Sequence, residues 1–413
     1  MMKNFYDIHF HAFNLSHPNI LAFLSRINLR LLCMTTPVSA PIMGICGWDK
    51  RVRNLLTMLE NDLGNYFLVL EYYLRKSAHV RGNYIITGDN QYAREDIYEK
   101  IILCPLIMDF GYKNILSKTF YRIPAQKPVA EQTTDLLNGI NFYNNHHLRV
   151  TEAAGKIPRV AHAPSQKKEK LFEIYPFLGL NPTNYTYAGI IKLLDEFFCD
   201  YDGKHATLYE NMGGKHGFAG IKLYPPLGFD PWPDDPEEKQ KNHYLYSYCE
   251  KKQIPITTHC SDGGFAVCDE AQEFTNPAKW RAVLEHYPQL KINFAHLGKQ
   301  DKKKFILFSK TAWQKDVLAL LKDYPNTYAD FSCTAFDDKY YRELARLIRD
   351  NPGAAAGKLL FGSDFMINLL WCDSYNEYLE LFLKTGQLAR ENKQALCSDN
   401  PARFLWQENT PIN

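Results

Sequence analysis

The sequence lacks the features that would place it in several common protein classes. Its net charge is only +2, so the charge balance does not favour binding to nucleic acid or to an anionic membrane surface. No uninterrupted apolar run is long enough to span a bilayer, and the first residues do not resemble a signal peptide. None of the 10 cysteines forms a Cys-x-x-Cys pair, and several lie in apolar runs. This pattern predicts reduced thiols and a cytoplasmic protein.

The amino-acid composition is typical of a globular protein with a large hydrophobic core. Hydrophobic residues make up 46% of the 413 residues and charged residues 23%. We expect a single domain over residues 1–413, with a helical insertion or cap at 14–98 and an excursion between the second and third strands at 111–168. An insertion this long directly after the first strand is expected to lie near the functional site.

Eight apolar segments have the composition of strands that are buried on both faces. They span residues 4–11, 101–108, 172–180, 218–224, 254–259, 291–296, 327–332 and 358–364. Helical patterns separate most of the later segments, and one of them is opened by Asn276-Pro277, which suit the cap and the first helical position. The alternation predicts an α/β fold, a TIM-type (β/α)8 barrel with a helical insertion after the first strand. An open doubly wound sheet is the alternative, although no Gly-x-Gly-x-x-Gly follows the first strand.

The first strand carries Asp7, His9 and His11 at alternate positions. Residues two apart on a strand project from the same face, so the two imidazoles point together. Two neutral imidazoles can bind one zinc, iron or manganese ion. Because a His-x-His pair also occurs by chance, the remaining ligands have to come from other strands.

Polar residues end several of the other predicted strands. His259 ends the fifth strand, His296 ends the sixth and Asp364 ends the eighth. Functional residues of a parallel barrel gather at these carboxyl-terminal strand ends. Each histidine alone could be a core residue. Four of the 13 histidines lie at three predicted strand ends, however, and together with Asp364 they predict a ring of nitrogen and oxygen ligands. The histidines left unassigned, in loop-like sequence, are His146, His147, His162, His205 and His216.

As an ordered set, these motifs resemble the amidohydrolase superfamily. The residues that carry the resemblance are Asp7-x-His9-x-His11, Lys222, His259, His296 and Phe361-Gly362-Ser363-Asp364. The runs 220–225, 295–298 and 400–404 are similar to the amidohydrolase-related branch that includes aminocarboxymuconate-semialdehyde decarboxylase and γ-resorcylate decarboxylase. The resemblance covers the barrel strands but not residues 14–98 or 111–168.

The resemblance implies a divalent metal site and the residues that build it. The implied ligands are His9, His11, His259 and Asp364, with zinc as the expected ion, manganese or iron as alternatives, and one ion rather than two. His296 would lie beside the metal. Lys222 would be a carbamylated bridge between two ions, a substrate contact, or a lysine paired with a carboxylate inside the barrel. Asp7 would either orient a ligand imidazole or form a structural hydrogen bond at the barrel base.

The predicted activity is hydrolysis of an amide, lactone or related bond of a small molecule by metal-activated water. A divalent metal lowers the pKa of bound water from about 15.7 toward 7. Asp364 can accept a proton and return it to the leaving group, and His296 can stabilise the developing oxyanion. The alternative is a metal-dependent decarboxylase or hydratase of a small unsaturated or aromatic carboxylic acid. A non-catalytic metal-binding barrel is the least favoured interpretation.

The sequence offers little about the substrate itself. Tyr224, Trp232 and Trp371 are candidates for the pocket wall because they lie near predicted strand ends. The cap at 14–98 is expected to close over the mouth and to set specificity. The predicted partner is a small molecule, with no nucleic acid and no membrane, and a homo-oligomer is compatible with the sequence.

Overall fold

A computed structural model describes residues 3–17, 48–82, 84–86, 97–110, 127–151, 159–266, 270–300 and 311–407. The strands are β1 (Lys3–Phe10), β2 (Val80–Arg81), β3 (Tyr84–Ile86), β4 (Ile97–Pro105), β5 (His146–Thr151), β6 (Arg159–Pro164), β7 (Phe172–Ile174), β8 (Phe177–Gly179), β9 (Gly220–Leu223), β10 (Ile256–Ser261), β11 (Ile292–Lys299), β12 (Thr327–Asp330) and β13 (Leu359–Leu360). The helices are α1 (Trp48–Glu60), α2 (Leu63–Arg75), α3 (Val129–Asn145), α4 (Tyr187–Phe198), α5 (His205–Glu210), α6 (Pro236–Lys252), α7 (Ala271–Thr275), α8 (Pro277–His286), α9 (Ala312–Asp323), α10 (Asp338–Asp350), α11 (Tyr375–Lys384), α12 (Arg390–Gln394) and α13 (Asn400–Leu405).

Parallel pairing arranges the barrel strands in two sheets that join at both edges. β1 pairs with β4 and β4 with β7, while β8 to β13 pair in sequence order. A parallel bridge between Leu106 and Phe177 joins the sheets at one edge, and a bridge between Phe10 and Phe365 joins them at the other. The prediction of a TIM-type barrel is therefore confirmed, and the open doubly wound sheet is wrong.

Each of the eight predicted segments has a counterpart in the barrel, with two informative differences. The predicted strand 172–180 is divided into β7 and β8 at Tyr175-Pro176, because proline has no backbone N–H to donate. The predicted strand 358–364 is reduced to the two residues of β13. The strand ends at Leu360, and Asp364, four residues further on, has a left-handed φ of 57°.

Several helices begin where the sequence predicts a cap. Asn276 precedes α8, and its side chain accepts a hydrogen bond from the Ala278 N–H, with Pro277 at the first helical position as predicted. Asp235 caps α6 in the same way and accepts from two backbone N–H groups. Within the described ranges, no helix combines the length and the apolar composition that a bilayer crossing needs.

The insertion after β1 contains strands as well as helices. α1 and α2 agree with the helical pattern, but β2 and β3 form an antiparallel hairpin whose second strand pairs with β4. The expectation of a purely helical insertion was therefore wrong at residues 80–81 and 84–86. Segments 18–47 and 87–96 lie outside the described residues, and so does the part of the cap prediction that depends on them.

The described part of the insertion supports the rim of the barrel from outside. The Tyr66 hydroxyl of α2 donates to the His11 carbonyl oxygen at 2.7 Å, and Asn54 of α1 donates to the Asp373 carbonyl oxygen at 2.7 Å. Both acceptors belong to segments that follow barrel strands. These helices therefore fix the loops that carry the site.

The excursion at 111–168 contains helix α3 and the β5–β6 hairpin among its described residues. His146 and His147 begin β5, His162 lies in β6 and His205 begins α5. The prediction that these four histidines lie in loops was therefore wrong. His216 lies outside regular secondary structure, as expected. Segments 111–126 and 152–158 of the excursion lie outside the described residues.

Candidate active site

Strand β1 ends with two buried imidazoles whose inner nitrogens are already hydrogen-bonded. His9 Nδ1 lies 3.0 Å from an Asp330 carboxylate oxygen, and His11 Nδ1 lies 3.2 Å from the Leu106 carbonyl oxygen. The opposite nitrogens, Nε2, lie 3.5 Å and 3.1 Å from Asp364 Oδ1, respectively. Both rings therefore present the same nitrogen to one point.

Asp364 reaches this point through a strained backbone. Its φ of 57° is a left-handed conformation that costs about 1–3 kcal/mol for a residue other than glycine. Its N–H donates to the His9 carbonyl oxygen at 2.7 Å, which ties the residue to β1. Burial alone would raise the pKa of Asp364, but hydrogen bonding to His11 and the nearby imidazoles hold it well below its usual range. The carboxylate is therefore ionised.

Asp7 supports the same loop from below. Its Oδ1 accepts a hydrogen bond of 2.8 Å from the N–H of Ser363, the residue before Asp364. Burial raises the pKa of Asp7 to about 7. Of the two roles expected for Asp7, this geometry corresponds to the structural hydrogen bond.

His259 and His296 lie together beside the β1 pair. His296 Nε2 is 3.2 Å from His259 Nδ1, and the His296 ring centre is 4.8 Å from that of His9. His259 Nε2 lies 3.1 Å from the Gly263 carbonyl oxygen. Burial lowers the pKa of both histidines, so both rings are neutral near pH 7.

The possible metal-ligand atoms are not all equally close to one another. The ring nitrogens of His9 and His11 and a carboxylate oxygen of Asp364 lie within 4.8 Å of one another. A second group with the same spacing consists of His9, His296 and Asp330. His259 belongs to neither group and contacts them through His296.

Asp330 at the end of β12 is a site residue that the sequence reasoning missed. It is fully buried and receives hydrogen bonds from Asn293 at 2.7 Å and from the His296 N–H at 3.1 Å, besides its contact with His9. Ser332 Oγ lies 3.0 Å from His9 Nδ1 and 2.9 Å from His296 Nδ1. Both residues lie at the end of the predicted strand 327–332, so the same strand-end rule would have found them.

Lys222 is a buried lysine near the histidines, and its Nζ lies 5.7 Å from the centre of the Tyr224 ring. The residue is 1% exposed, and its Nζ has no hydrogen-bond partner among the described residues. Burial lowers the pKa of Lys222 to about 8, against the attraction of Asp330 and Asp364. The expected alternative of a lysine directly paired with a carboxylate is thus not what the geometry shows.

A cavity of about 280 Å³ opens above these residues. Its wall consists of His11, Phe13, Met108, Phe110, Tyr224, His259, Ser261, Gly263, Gly264, Phe265, His296, Lys299, Cys333, Asp364, Ile367, Leu370 and Trp371. Two of the three aromatic residues that the sequence suggested, Tyr224 and Trp371, are in this wall. Trp232 lies elsewhere, because its ring packs 4.6 Å from the His286 ring and 4.9 Å from the Lys239 ammonium group.

The loop after β10 closes one side of this cavity and depends on glycine. Gly264 has a φ of 98°, and a Cβ there would lie 2.6 Å from the Tyr224 hydroxyl and 2.8 Å from His259 Nε2. The Tyr224 hydroxyl accepts a hydrogen bond of 2.9 Å from the Phe265 N–H. A side chain at position 264 would therefore push the loop away from His259.

The donor set fits a divalent metal ion. Two neutral imidazoles and an ionised carboxylate are ligands that zinc prefers. Hydrogen bonds from the inner imidazole nitrogens to carboxylate and carbonyl oxygens are the usual means of orienting ligand histidines, and His9 and His11 both have them.

Comparison with known proteins agrees with this geometry. The family model described as amidohydrolase matches residues 200–406, half of the chain, and the chain therefore belongs to the amidohydrolase family. Membership of this family makes the protein a metal-dependent enzyme. No protein of curated function matches the chain in sequence.

Solved structures also align with the chain at low identity. An uncharacterised TIM-barrel protein from Bordetella bronchiseptica is 14% identical, with 97% of this chain and 98% of that chain covered and a TM-score of 0.45. A 2,6-dihydroxybenzoate decarboxylase bound to 2,6-dihydroxybenzoate is 11% identical, with coverages of 98% and 99% and a TM-score of 0.46. A probable 2-pyrone-4,6-dicarboxylic acid hydrolase from Acinetobacter baumannii is 12% identical, with coverages of 75% and 84% and a TM-score of 0.42.

Proposed function

We propose that this enzyme hydrolyses an amide, lactone or related carbonyl bond of a small molecule. The observation that carries the proposal is the convergence of His9 Nε2, His11 Nε2 and Asp364 Oδ1 at one cavity. The cavity size suits a small molecule, and its wall combines apolar side chains with the polar groups of His11, His259, His296 and Asp364.

The proposed metal is one zinc ion, with manganese or iron as alternatives. His9, His11 and Asp364 would hold it, and His259, whose Nδ1 lies 3.2 Å from His296 Nε2 beside this group, is proposed as the fourth ligand. When bound, the ion supplies a Lewis acid that makes water acidic enough to ionise near neutral pH. Lys222, whose Nζ has no hydrogen-bond partner in the described part of the chain and whose pKa is lowered, is proposed to contact the substrate or to be carbamylated if a second ion is present.

Asp364 is proposed to transfer the proton, and His296 is proposed to stabilise negative charge on the substrate. Asp364 can hold the proton of the attacking water on a carboxylate oxygen and deliver it to the leaving group. His296 has its Nδ1 near the Ser332 hydroxyl and carbonyl oxygens, so its Nε2 is the nitrogen directed to the cavity. In the neutral ring the proton lies on Nδ1 toward the Ser332 carbonyl oxygen, so His296 would stabilise negative charge on the substrate's carbonyl oxygen only after Nε2 takes up a proton.

The second candidate is a decarboxylase or hydratase of a small unsaturated or aromatic acid. The observation that favours it is the number of aromatic rings in the cavity wall, since Phe13, Phe110 and Phe265 follow one another at centre distances of 6.3 Å and 5.9 Å. Flat unsaturated molecules pack well against such rings.

A combined metal and product analysis tests both candidates. The purified full chain would be assayed for bound metal, for hydrolysis of an amide and lactone panel, and for carbon dioxide release from aromatic acids. Hydrolysis that disappears together with the metal in His259→Ala and Asp364→Asn supports the main proposal. Carbon dioxide release without hydrolysis replaces it with the decarboxylase, and full activity of metal-free protein contradicts both.

We also propose a reducing, cytoplasmic location for the protein. The cysteines in the described part of the chain are unpaired, and all of them except Cys199 are buried. Assembly into a homo-oligomer remains a proposal that sedimentation of the purified chain would test.

A further inference from the structure

A second cluster of metal-ligand side chains lies at the opposite end of the barrel from the cavity. Cys199 and Asp200 follow the last residue of α4, and His216 lies in the loop that leads into β9. One ligand atom from each of these three residues lies within 4.8 Å of the others. Helix α4 follows β8 and the histidine loop precedes β9, so the cluster lies at the amino-terminal end of these parallel strands. It is therefore separate from the site at the carboxyl-terminal strand ends.

The three side chains form a donor set for a transition metal. A thiolate, an imidazole nitrogen and a carboxylate oxygen are all zinc ligands, and the thiolate favours zinc over magnesium or calcium. Cys199 is exposed, unlike the other cysteines in the described part of the chain, so an ion in solution can reach it. His216 Nδ1 is buried and has no hydrogen-bond partner among the described residues. Such buried atoms are uncommon in native structures, and a metal ion bound to this imidazole would explain this one.

Buried contacts fix the two segments that carry these ligands. Phe198 and Phe218 are fully buried, and their rings pack at a centre distance of 6.4 Å. The Tyr201 hydroxyl donates to the Ala219 carbonyl oxygen at 3.1 Å. On the first segment these contacts flank the cysteine and the aspartate on both sides, and on the second they follow the histidine by two and three residues. The core of the protein therefore holds the ligand-bearing segments together.

The loop that carries His216 is itself a tight turn held to α3. Asn141 Nδ2 of α3 donates to the Gly213 carbonyl oxygen at 2.8 Å. A Cβ at Gly217 would lie 2.5 Å from the Asn211 carbonyl oxygen, so the turn requires glycine at that position. The backbone on both sides of the histidine is therefore fixed before any ion binds.

We propose that Cys199, Asp200 and His216 form a structural site for a zinc ion, with water as the fourth ligand. This ion is additional to the one proposed at the barrel mouth, and it joins the end of α4 to the loop before β9. In a tetrahedral zinc site the ligand atoms lie about 3.5 Å apart, a spacing that rotation of the exposed Cys199 and Asp200 side chains can provide. The Cys199 thiol releases its proton to solvent as the sulfur–metal bond forms, so zinc affinity should increase with pH.

Cobalt substitution distinguishes this site from the mouth. A thiolate bound to Co²⁺ gives a sulfur-to-metal charge-transfer absorption, which the nitrogen and oxygen ligands proposed at the mouth do not give. The reduced full chain, with Co²⁺ in place of its bound metal, is expected to show this absorption. Cys199→Ser is expected to lose the absorption and to bind one zinc ion fewer per chain than the natural protein. Asp364→Asn, which is altered at the mouth, is expected to keep the absorption.

Two further variants test the other ligands. His216→Ala and Asp200→Asn are each expected to weaken Co²⁺ binding at this site by more than about 100-fold, because loss of a group that merely orients a ligand already costs about 10–100-fold. His286→Ala, which removes an exposed histidine at the end of α8, is the control and should leave the affinity unchanged.

The outcomes are independent of the reaction at the mouth, because none of these measurements requires turnover. An absorption that persists in Cys199→Ser, or that is absent from the natural chain loaded with Co²⁺, overturns the proposed site. Unchanged affinity in His216→Ala or in Asp200→Asn removes that ligand and also overturns it. Loss of the absorption in Cys199→Ser together with weakened binding in the other two variants supports the site, whether the enzyme proves to be a hydrolase or a decarboxylase.

Discussion

Buried charged side chains have different surroundings at the two ends of the barrel. At the amino-terminal end of β7, the Glu71 carboxylate receives Arg75 Nε at 2.7 Å and the Leu171 N–H at 3.1 Å, and Lys170 Nζ lies 3.2 Å away. Lys170 also donates to the His146 carbonyl oxygen at 2.6 Å. Burial alone would raise the pKa of Glu71, but Lys170 and Arg75 outweigh it and lower the pKa below its usual value.

At the carboxyl-terminal end, the buried charges are only partly satisfied. The inner nitrogens of His9 and His11 have partners, while their outer nitrogens converge on Asp364, and Lys222 Nζ has no hydrogen-bond partner among the described residues. Close ion pairs such as Lys170 with Glu71 can contribute to stability, whereas a buried amino group such as that of Lys222, with neither an ion pair nor a hydrogen bond among the described residues, is typical of a functional site. We therefore expect mutations at the two ends to affect different measurements.

The largest effect is expected for Asp364→Asn at the mouth. Loss of the carboxylate removes both a proposed ligand and the proposed proton carrier, so kcat should fall by about 10²–10⁴-fold and metal content should fall with it. Asp373→Asn, nine residues further along the chain in a partly exposed ion pair with Lys50 and Arg51, is the control and should retain metal and activity. An Asp364→Asn enzyme with normal metal content and turnover would remove Asp364 from the mechanism.

The corresponding change at the other end is Glu71→Gln, which should affect stability alone. Lys170 would be left buried without its counter-charge, and this should lower the free energy of unfolding by about 3 kcal/mol. Denaturant unfolding measures the loss, with Glu343→Gln on the exposed face of α10 as control. Metal content and activity of the folded Glu71→Gln protein should be normal. Loss of activity without loss of stability would show that the Glu71 cluster also serves the reaction, against the expected difference between the two ends.

Asp330→Asn should have an intermediate effect on metal binding and tests whether Asp330 orients a ligand histidine. The variant keeps the size of the side chain but loses the negative charge that orients His9, so metal affinity should fall by about 10–100-fold. Competition with a chelator of known affinity measures the change. Unchanged affinity would mean that Asp330 is only a structural partner of Asn293 and Ser332.

The smallest predicted effect concerns the pH dependence of the Glu71 cluster. Because the folded-state pKa of Glu71 is lowered, its stabilising contribution is complete above the unfolded pKa of about 4.3 and is lost as pH falls through the folded pKa. The stability difference between the natural chain and Glu71→Gln should therefore shrink in acid. A difference that stays constant from neutral pH into the acid range would show that the carboxylate charge is not responsible.

Sequence reasoning reached the fold because the barrel strands are short apolar runs separated by helices. It reached His9, His11, His259, His296 and Asp364 because strand ends of a parallel barrel meet at one mouth. The individual roles of these residues remain predictions. Trp232 was placed in the pocket on proximity to a strand end alone, although its loop directs the ring toward His286.

Other parts of the site depend on geometry that the sequence does not display. The left-handed residues 296–298 and 364 redirect side chains against the regular alternation of a strand, so the inward position of Lys299 could not be inferred from spacing. The hairpin β2–β3 has only two and three residues per strand, too few to show an alternating pattern.

The most direct test is an anomalous difference map from crystals of the zinc-loaded full chain, measured at the zinc absorption edge. At the barrel mouth we predict one peak about 2.0–2.2 Å from His9 Nε2, His11 Nε2 and an Asp364 oxygen, with His259 completing the coordination. No peak at the mouth in crystals of protein that remains active would contradict the assignment of the barrel mouth as a metal centre.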